Sequence, residues 1–483
     1  MRIWFDVQDL FDYARWNARP SGIQRLCFEV YAALNALAPD RVRFLRIDPS
    51  AARLRPVGWP EIARLFGDLA APPCRRAVDR DGEGGAPRPA RASAAPRHSP
   101  GPVPESIPRL RRLVRRIPIE IRHPLHAALA HQSAALRLLA QAGVGGGRLL
   151  LAGTRRRATA PTQRTAEPAP DIGSELRPGD IIASFGSPWS SPDYPAMIAR
   201  LREERGMRHA LLIYDLIPLL HPEYCDRGLV ACFARFIHGC LPLADILLTI
   251  SDATARDIVA WSARQGIRLR AEPRILPPGT GFSASSGEAR LPCSGAGRHV
   301  LFVSTIEARK NHALAFRAWR RLLQELPAEQ VPPLIFAGRV GWLVDDLMRQ
   351  ISQSNHLDGK LVVIEAPDDA TIAALYREAR FTIFPSLYEG WGLPVSESLF
   401  FGRVCIASNA ASIPEAGGDF CLYHDPDSVS DATRLYREAI LSPSLIPRLE
   451  DRIRREWRPR PWSETAAAVL QRLGASGSGV ETG

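Results

Sequence analysis

The stretch Tyr388-Glu389-Gly390-Trp391-Gly392-Leu393-Pro394-Val395-Ser396-Glu397 sets two carboxylates eight positions apart around a pair of glycines. Glycine lets a backbone approach a ligand closely, and proline suits the first turn of a helix. Upstream, Ala379 to Phe384 reads as a buried strand. Downstream, Gly402 closes a short helix ahead of another strand, Val404 to Ser408. A strand, a glycine loop and a helix start between flanking acids make a site for a polar, hydroxyl-rich and phosphorylated ligand.

The same alternation extends outward in both directions. Val300–Ser304, Leu334–Ala337, Leu361–Ile364, Phe381–Phe384 and Val404–Ala407 read as one series of buried strands. Ile3–Val7, Ile181–Phe185, Ala210–Tyr214 and Ile246–Ile250 read as an earlier series. Between them lie helical patterns: Gly22 to about Leu37, with Ile23, Leu26, Val30 and Ala33 on one face, then Pro195–Arg205 and Asp252–Gln265. Strands alternating with helices predict an α/β protein with parallel sheets covered on both faces. The expected division is a first doubly wound domain over 1–285, a Gly/Ser-rich linker over 286–298 and a second doubly wound domain over 299–455. A terminal helix over 456–475 follows, with Ser463 as its N-cap. The default ligand site is the cleft between the domains, at the carboxyl ends of the strands.

Residues 71–106 and 153–170 break the pattern with Pro, Ala, Arg and Gly and few large apolar side chains. They cannot bury enough surface to offset their ordering entropy, and they read as flexible insertions. Between them, 109–122 packs six arginines among Leu110, Leu113, Val114, Ile117, Ile119 and Ile121. This stretch fits either peripheral contact with an anionic membrane or a solvated helix face interrupted by prolines.

Of 62 basic residues in the 483-residue chain, only Lys310 and Lys360 are lysine, so the formal charge of +11 is carried by arginine. The eight cysteines form no CxxC pair, which argues against a disulfide framework or a zinc site and for reduced, buried thiols. The start Met1-Arg2-Ile3-Trp4-Phe5-Asp6 reads as a strand, not a signal peptide. The apolar run Leu241–Ile250 is interrupted by Asp245 and too short to span a bilayer. A cytoplasmic protein is the expectation, at the inner face of the plasma membrane if 109–122 binds it. The arginines are dispersed and lack interleaved aromatics, which argues against nucleic acid.

Ser304-Thr305-Ile306-Glu307-Ala308-Arg309-Lys310-Asn311 follows the first strand of the second domain and opens a helix. Adjacent cations at such a point suit a diphosphate. Lys310 stands out because arginine is used almost everywhere else; a compact ammonium fits where a planar guanidinium does not.

The E-x7-E run Glu389–Glu397, the Thr305–Asn311 loop and Ser412-Ile413-Pro414-Glu415 resemble retaining GT-B glycosyltransferases of family four. Ser21-Gly22-Ile23-Gln24-Arg25, Phe185-Gly186-Ser187-Pro188-Trp189 and Tyr214-Asp215 through Tyr224 resemble the mannosyltransferase B-like branch of O-antigen and exopolysaccharide synthesis. The resemblance implies two Rossmann-like domains facing a central cleft. It implies transfer of a hexose, mannose from GDP-mannose, to a growing glycan or lipid-linked acceptor. By that resemblance Glu397 holds the ribose hydroxyls. Glu389, with the backbone from Gly390 and Trp391 to Gly392 and Leu393, grips the donor sugar. Arg309 and Lys310 neutralise the diphosphate, and Gly22 lets the first helix approach it. The leaving phosphate takes the acceptor proton during front-face attack, so the resemblance implies no general base, no metal and no cofactor beyond the nucleotide sugar. Asp79-Arg80-Asp81 and Asp425-Pro426-Asp427 are the Asp-x-Asp runs, and both read as incidental.

Two positions depart from the family pattern. Thr305 stands where many members carry arginine, and Tyr214 where many carry histidine. On the acceptor side, Asp215, Tyr214 and Trp189 are candidates. Tyr214 and Trp189 fit core packing equally well, and His221 fits a structural role better than a ligand role. A non-catalytic nucleotide-sugar or glycan-binding subunit is the alternative from another class, with a sugar-nucleotide epimerase as a second enzyme reading.

Overall fold

The central strands of both sheets are short, apolar and buried on both faces, as parallel strands beneath two helical layers must be. The computed structural model describes residues 1–16, 19–48, 53–70, 175–281 and 299–474. The stretches 71–106, 109–122 and 153–170, the linker 286–298, and Asp79 and Asp81 lie outside the described residues.

In the first sheet Ile3–Asp6 (β1) pairs in parallel with Val42–Asp48 (β2). Arg53–Val57 (β3) runs antiparallel at the β2 edge and carries Pro56, which only an edge tolerates. On the other side of β1 follow Ile181–Ser184 (β4), Arg208–Ile213 (β5), Ile246–Thr249 (β6) and Pro273–Ile275 (β7), all parallel. The second sheet is parallel throughout. It comprises Val300–Val303 (β8), Leu334–Ala337 (β9), Leu361–Ile364 (β10), Phe381–Phe384 (β11), Cys405–Ser408 (β12) and Leu422–His424 (β13), in the order β10-β9-β8-β11-β12-β13. The winding therefore reverses between β1 and β4 in one sheet and between β8 and β11 in the other. These are the points where loops splay apart and admit a ligand.

Alternation along each strand feeds two cores. Phe5 joins Phe44, Phe185 and the helix Gly22–Leu37 on one face of the first sheet, while Trp4 joins Ile182, Phe233 and Phe236 on the other. In the second sheet Phe302, Phe336 and Phe384 pack against Leu314 and Trp319, and Leu301 and Ile335 against Tyr376. The C-terminal helix Trp462–Gly474 contributes Ala466, Val469 and Leu473 to the first domain's core, and Thr465 Oγ1 donates to the Pro277 carbonyl at 3.1 Å. It begins at Trp462, so Ser463 lies inside the first turn rather than at the cap.

Phe185, Tyr214, Ile250 and Ser304, expected as final strand residues, instead open the loops that follow β4, β5, β6 and β8. No helix among the described residues is long and apolar enough to cross a membrane. Among them, Cys27, Cys240, Cys405 and Cys421 are free and buried, while Cys225 and Cys232 are free and only half-buried.

Candidate active site

Strands β8 and β11 are neighbours, with Phe381 opposite Val300 and Thr382 opposite Leu301. The loops leaving their carboxyl ends therefore start side by side. After β8 the chain forms a 3-10 turn, Ala308–Lys310, so the two cations precede the helix His312–Glu325 rather than open it. Asn311, at φ 62°, donates from Nδ2 to the carbonyls of Pro385 (3.1 Å) and Pro426 (2.9 Å) and ties the turn to the neighbouring loops.

This juxtaposition puts Glu389 between both cations. Lys310 Nζ lies 2.5 Å from Glu389 Oε1 and Arg309 Nη1 2.8 Å from Oε2. Ser386 Oγ donates to Oε1 at 2.6 Å. Arg309 also reaches Glu307 Oε1 (2.8 Å) and the Tyr388 carbonyl (2.6 Å). Burial alone would lift the Glu389 carboxyl, but Arg309, Lys310 and the Ser386 hydroxyl overcome it and hold it at about 2. Burial would likewise lower Arg309, and Glu389 and Glu307 raise it instead. The three residues expected to act on separate parts of a donor thus form one ion cluster. Taking any one away leaves a buried charge uncompensated, a loss of about 3–5 kcal/mol.

The glycine loop is held from behind. Ser412 Oγ donates to the carbonyls of Glu389 (2.7 Å) and Trp391 (3.1 Å). A Cβ at Gly390 would lie 2.3 Å from the Tyr214 carbonyl oxygen, so this glycine makes room for the first domain's backbone as well as lining the cleft. Gly392, at φ 113°, turns the chain into the helix Leu393–Phe400, with Pro394 in its first turn. Trp391 donates from Nε1 to Ser396 Oγ at 3.2 Å, and its ring packs against the cores of both domains. Glu397 sits in the second turn of that helix, which begins at Leu393. Its Oε2 accepts from the Tyr376 hydroxyl at 3.0 Å. Burial raises this carboxyl, and Arg25 partly offsets the effect.

On the first-domain side, Gly22 opens its helix at the cleft. The nearest atom to a Cβ there is Leu393 Cδ1 at 3.7 Å, an ordinary contact, so the protein's own packing does not demand glycine at this position. Asp215 accepts from the Ile217 N–H at 3.0 Å; burial raises its carboxyl and Arg309 pulls it back. Tyr214 is a packing residue: its hydroxyl donates to the Phe185 carbonyl and lies 3.1 Å from Cys27 Sγ, inside the core. Trp189 is half-buried, with Phe233 and Phe236 edge-on at 5.4 and 6.3 Å. His221 Nδ1 lies 3.2 Å from Glu223 Oε1, and its ring centroid lies 4.5 Å from that of Tyr388.

A cleft of about 610 Å³ brings Gly22, Tyr214, Asp215, Arg309, Lys310, Glu389 to Leu393 and Glu397 together. Trp189 lies outside it, in an adjoining cavity. Arg19, Arg25 and Arg339 also line the cleft. Arg25 appears in the sequence only as the end of the Ser21–Arg25 motif, and no local signal separates Arg19 and Arg339 from the rest in so arginine-rich a chain. The two walls are linked by Arg25 to Asp369 (2.5 Å) and by the Tyr388 hydroxyl to Asp257 Oδ2 (2.6 Å). Glu415 also accepts from the N–H groups of Asp252 (2.7 Å) and Ala253 (2.8 Å), at the start of the helix Asp252–Gln265. Among the described residues no group of three or more His, Cys, Asp or Glu side chains is placed to hold a metal ion, and Asp425 instead accepts from the Asp427 N–H at 2.9 Å.

Residues 293–455 match the family described as glycosyl transferases group 1. The chain is 26% identical over 297 residues to the serotype-specific mannosyltransferase WbdA of Escherichia coli, covering 58% of this chain and 35% of that protein. It is 28% identical over 229 residues to the O-antigen chain mannosyltransferase B of the same organism, covering 46% and 58%. With the MMP alpha-(1->4)-mannosyltransferase of Mycolicibacterium hassiacum it shares 29% identity over 217 residues, covering 43% and 48%. The chain thus spans between 35% and 58% of the length of these relatives. The second sheet lies within the matched residues, so the part of this chain that is similar to group 1 glycosyl transferases is the domain that supplies the cleft's charged wall.

Proposed function

We propose that the protein transfers a hexose, mannose from GDP-mannose, with retention of configuration onto a growing lipid-linked glycan. The observation that carries this reading is the ion cluster at the edge of the cleft. Glu389 is kept ionised by Arg309 and Lys310 while still facing open space. A carboxylate offers about four acceptor positions. Lys310, Arg309 and Ser386 occupy three, which leaves one for a donor-sugar hydroxyl.

The cluster also divides the cations. Arg309 is engaged by Glu389, Glu307 and the Tyr388 carbonyl, so its work is to hold Glu389 in place. Lys310 has three protons and gives one to Glu389, so it has donors left for a phosphate oxygen. Charge that develops on the leaving diphosphate is stabilised by such preorganised donors. Arg19 and Arg339 supplement them where Thr305 offers no charge. Glu397, which lines the same cleft and feels the charge of Arg25, accepts from ribose hydroxyls. In the step itself the bond from the sugar's anomeric carbon to phosphate breaks while a bond to the acceptor oxygen forms on the same face. The acceptor's proton passes to the leaving phosphate oxygen, and nucleoside diphosphate departs. These residues ask for no metal or cofactor beyond the donor. The mannosyltransferase relatives support the choice of sugar.

A thermal-shift panel of UDP-, GDP-, ADP- and dTDP-sugars tests the reading, with GDP-mannose expected to raise the melting temperature most. Silence from every nucleotide sugar overturns it. Binding without release of nucleoside diphosphate to any acceptor points instead to a non-catalytic sugar-nucleotide subunit.

A further inference from the structure

A second cavity of about 250 Å³ opens beside the donor cleft, under the loop that follows β5. Tyr214, Asp215 and Arg309 line both spaces, so the two are neighbours through a shared wall. The lining is sharply divided. Phe233, Phe236 and the half-buried Trp189 make an aromatic interior, whereas Asp215, Glu307 and Arg309 make one charged edge on the donor side.

The second domain supplies the outer wall. Trp342 reaches across from the loop after β9, and its Nε1 donates to the Tyr224 carbonyl at 2.7 Å. Trp342 is nonetheless 44% exposed, so a large part of its surface is not used in packing. The next residue, Leu343, stands at φ 59°. A non-glycine residue there costs on the order of 1–3 kcal/mol, and such strain collects where a side chain must be aimed. The cavity is complete only with the two domains together, as a transfer site must be.

A ligand matched to this lining has an apolar face for the aromatic rings and hydroxyls along one edge for the charged groups. A pyranose ring has both. A purely hydrocarbon group would desolvate the Asp215 carboxyl at the edge, where the Ile217 N–H fills only part of its hydrogen-bonding capacity. We propose that this cavity binds the terminal pyranose of the acceptor, with its ring face between Trp189 and Trp342 and its attacking hydroxyl directed past Asp215 into the donor cleft. The proposal rests on the transferase reading of that cleft and adds the acceptor's position and chemical class.

Saturation-transfer NMR with methyl α-D-mannopyranoside as probe reads the contact directly. Irradiation of the aromatic protons should reach the ring C–H protons of the probe. The transfer should be lost in Trp342→Ala and kept in Trp342→Phe, with both variants melting cooperatively. With a glycan acceptor, Trp342→Ala should raise the acceptor KM at least tenfold and change kcat less. Equal saturation transfer and equal acceptor KM in wild type and Trp342→Ala overturn the proposal. So does binding of citronellyl phosphate in place of the mannoside, which would make this a lipid site. If no nucleotide sugar binds but the mannoside still contacts Trp342, the transferase reading fails and the sugar pocket stands. The reverse result removes the pocket alone.

Discussion

The two sheets reverse their winding at equivalent points, yet the carboxylates placed there live in opposite electrostatic worlds. At the β8/β11 point Glu389 is buried against Arg309 and Lys310 and is held at about 2. At the β1/β4 point Asp6 is just as buried, but burial dominates, Asp9 and Asp12 add to it, and the carboxyl is pushed up to about 7. Its hydrogen bond from the Gln8 N–H, at 2.9 Å, offsets only part of the cost. Asp9 next to it accepts from the Ser187 N–H (2.9 Å) and Oγ (3.0 Å), and it too is raised by burial. Topology selects where a charged group sits; the company it keeps decides whether it is charged. The second domain thus keeps its carboxylate ionised at the reversal point, whereas burial pushes the first domain's carboxyl toward its neutral form.

Breaking the second-domain cluster should have the largest effect. Glu389→Gln keeps the shape and removes the charge, and turnover should fall roughly 10²–10³-fold, the scale for losing one preorganised electrostatic group. Loss of less than tenfold in single-turnover transfer would falsify its role as the grip on the donor. Lys310→Ala comes next. Turnover should fall about 10²-fold with a smaller change in nucleotide affinity, because the ammonium acts on charge that grows as the bond breaks. An equal loss in affinity and turnover would instead mark it as a ground-state binding group.

The smallest effect is the most direct probe of the contrast. Glu389 is depressed below the ordinary value of 4.5, so its stabilisation is present above that pH and is lost as pH falls from about 4.5 toward 2. Asp6 is raised above 3.8, so its contribution is complete below that pH and is lost as pH rises from about 4 through 7. Denaturant unfolding across pH 2–8 should show both limbs. Asp6→Asn should flatten only the upper limb and Glu389→Gln only the lower. Identical pH profiles in wild type and Asp6→Asn would remove the asymmetry between the domains.

Much of this arrangement is legible in the chain. The helix patterns Gly22–Leu37 and Asp252–Gln265 coincide with helices, and Leu334–Ala337, Leu361–Ile364 and Phe381–Phe384 with strands, because each carries its own periodicity and end signals. Two groups 79 residues apart carry no such mutual signal. Nothing near Lys310 announces that Glu389 lies 2.5 Å away, since that contact follows from β11 pairing with β8. Gly390 shows a related limit: a glycine declares that something must come close, but not what. Here it is the Tyr214 carbonyl of the other domain.

The sequence by itself determined the α/β alternation, the acidic pair around the glycine loop and the cationic turn, because these depend on local spacing and residue chemistry. Only the tertiary structure decided that Glu389 is already neutralised, that Tyr214 turns its hydroxyl into the core, and that Trp342 crosses between domains to wall a second cavity. Those outcomes depend on burial and on distances between remote segments. Both arise from how the strands pair and how the domains meet, not from any short run of residues.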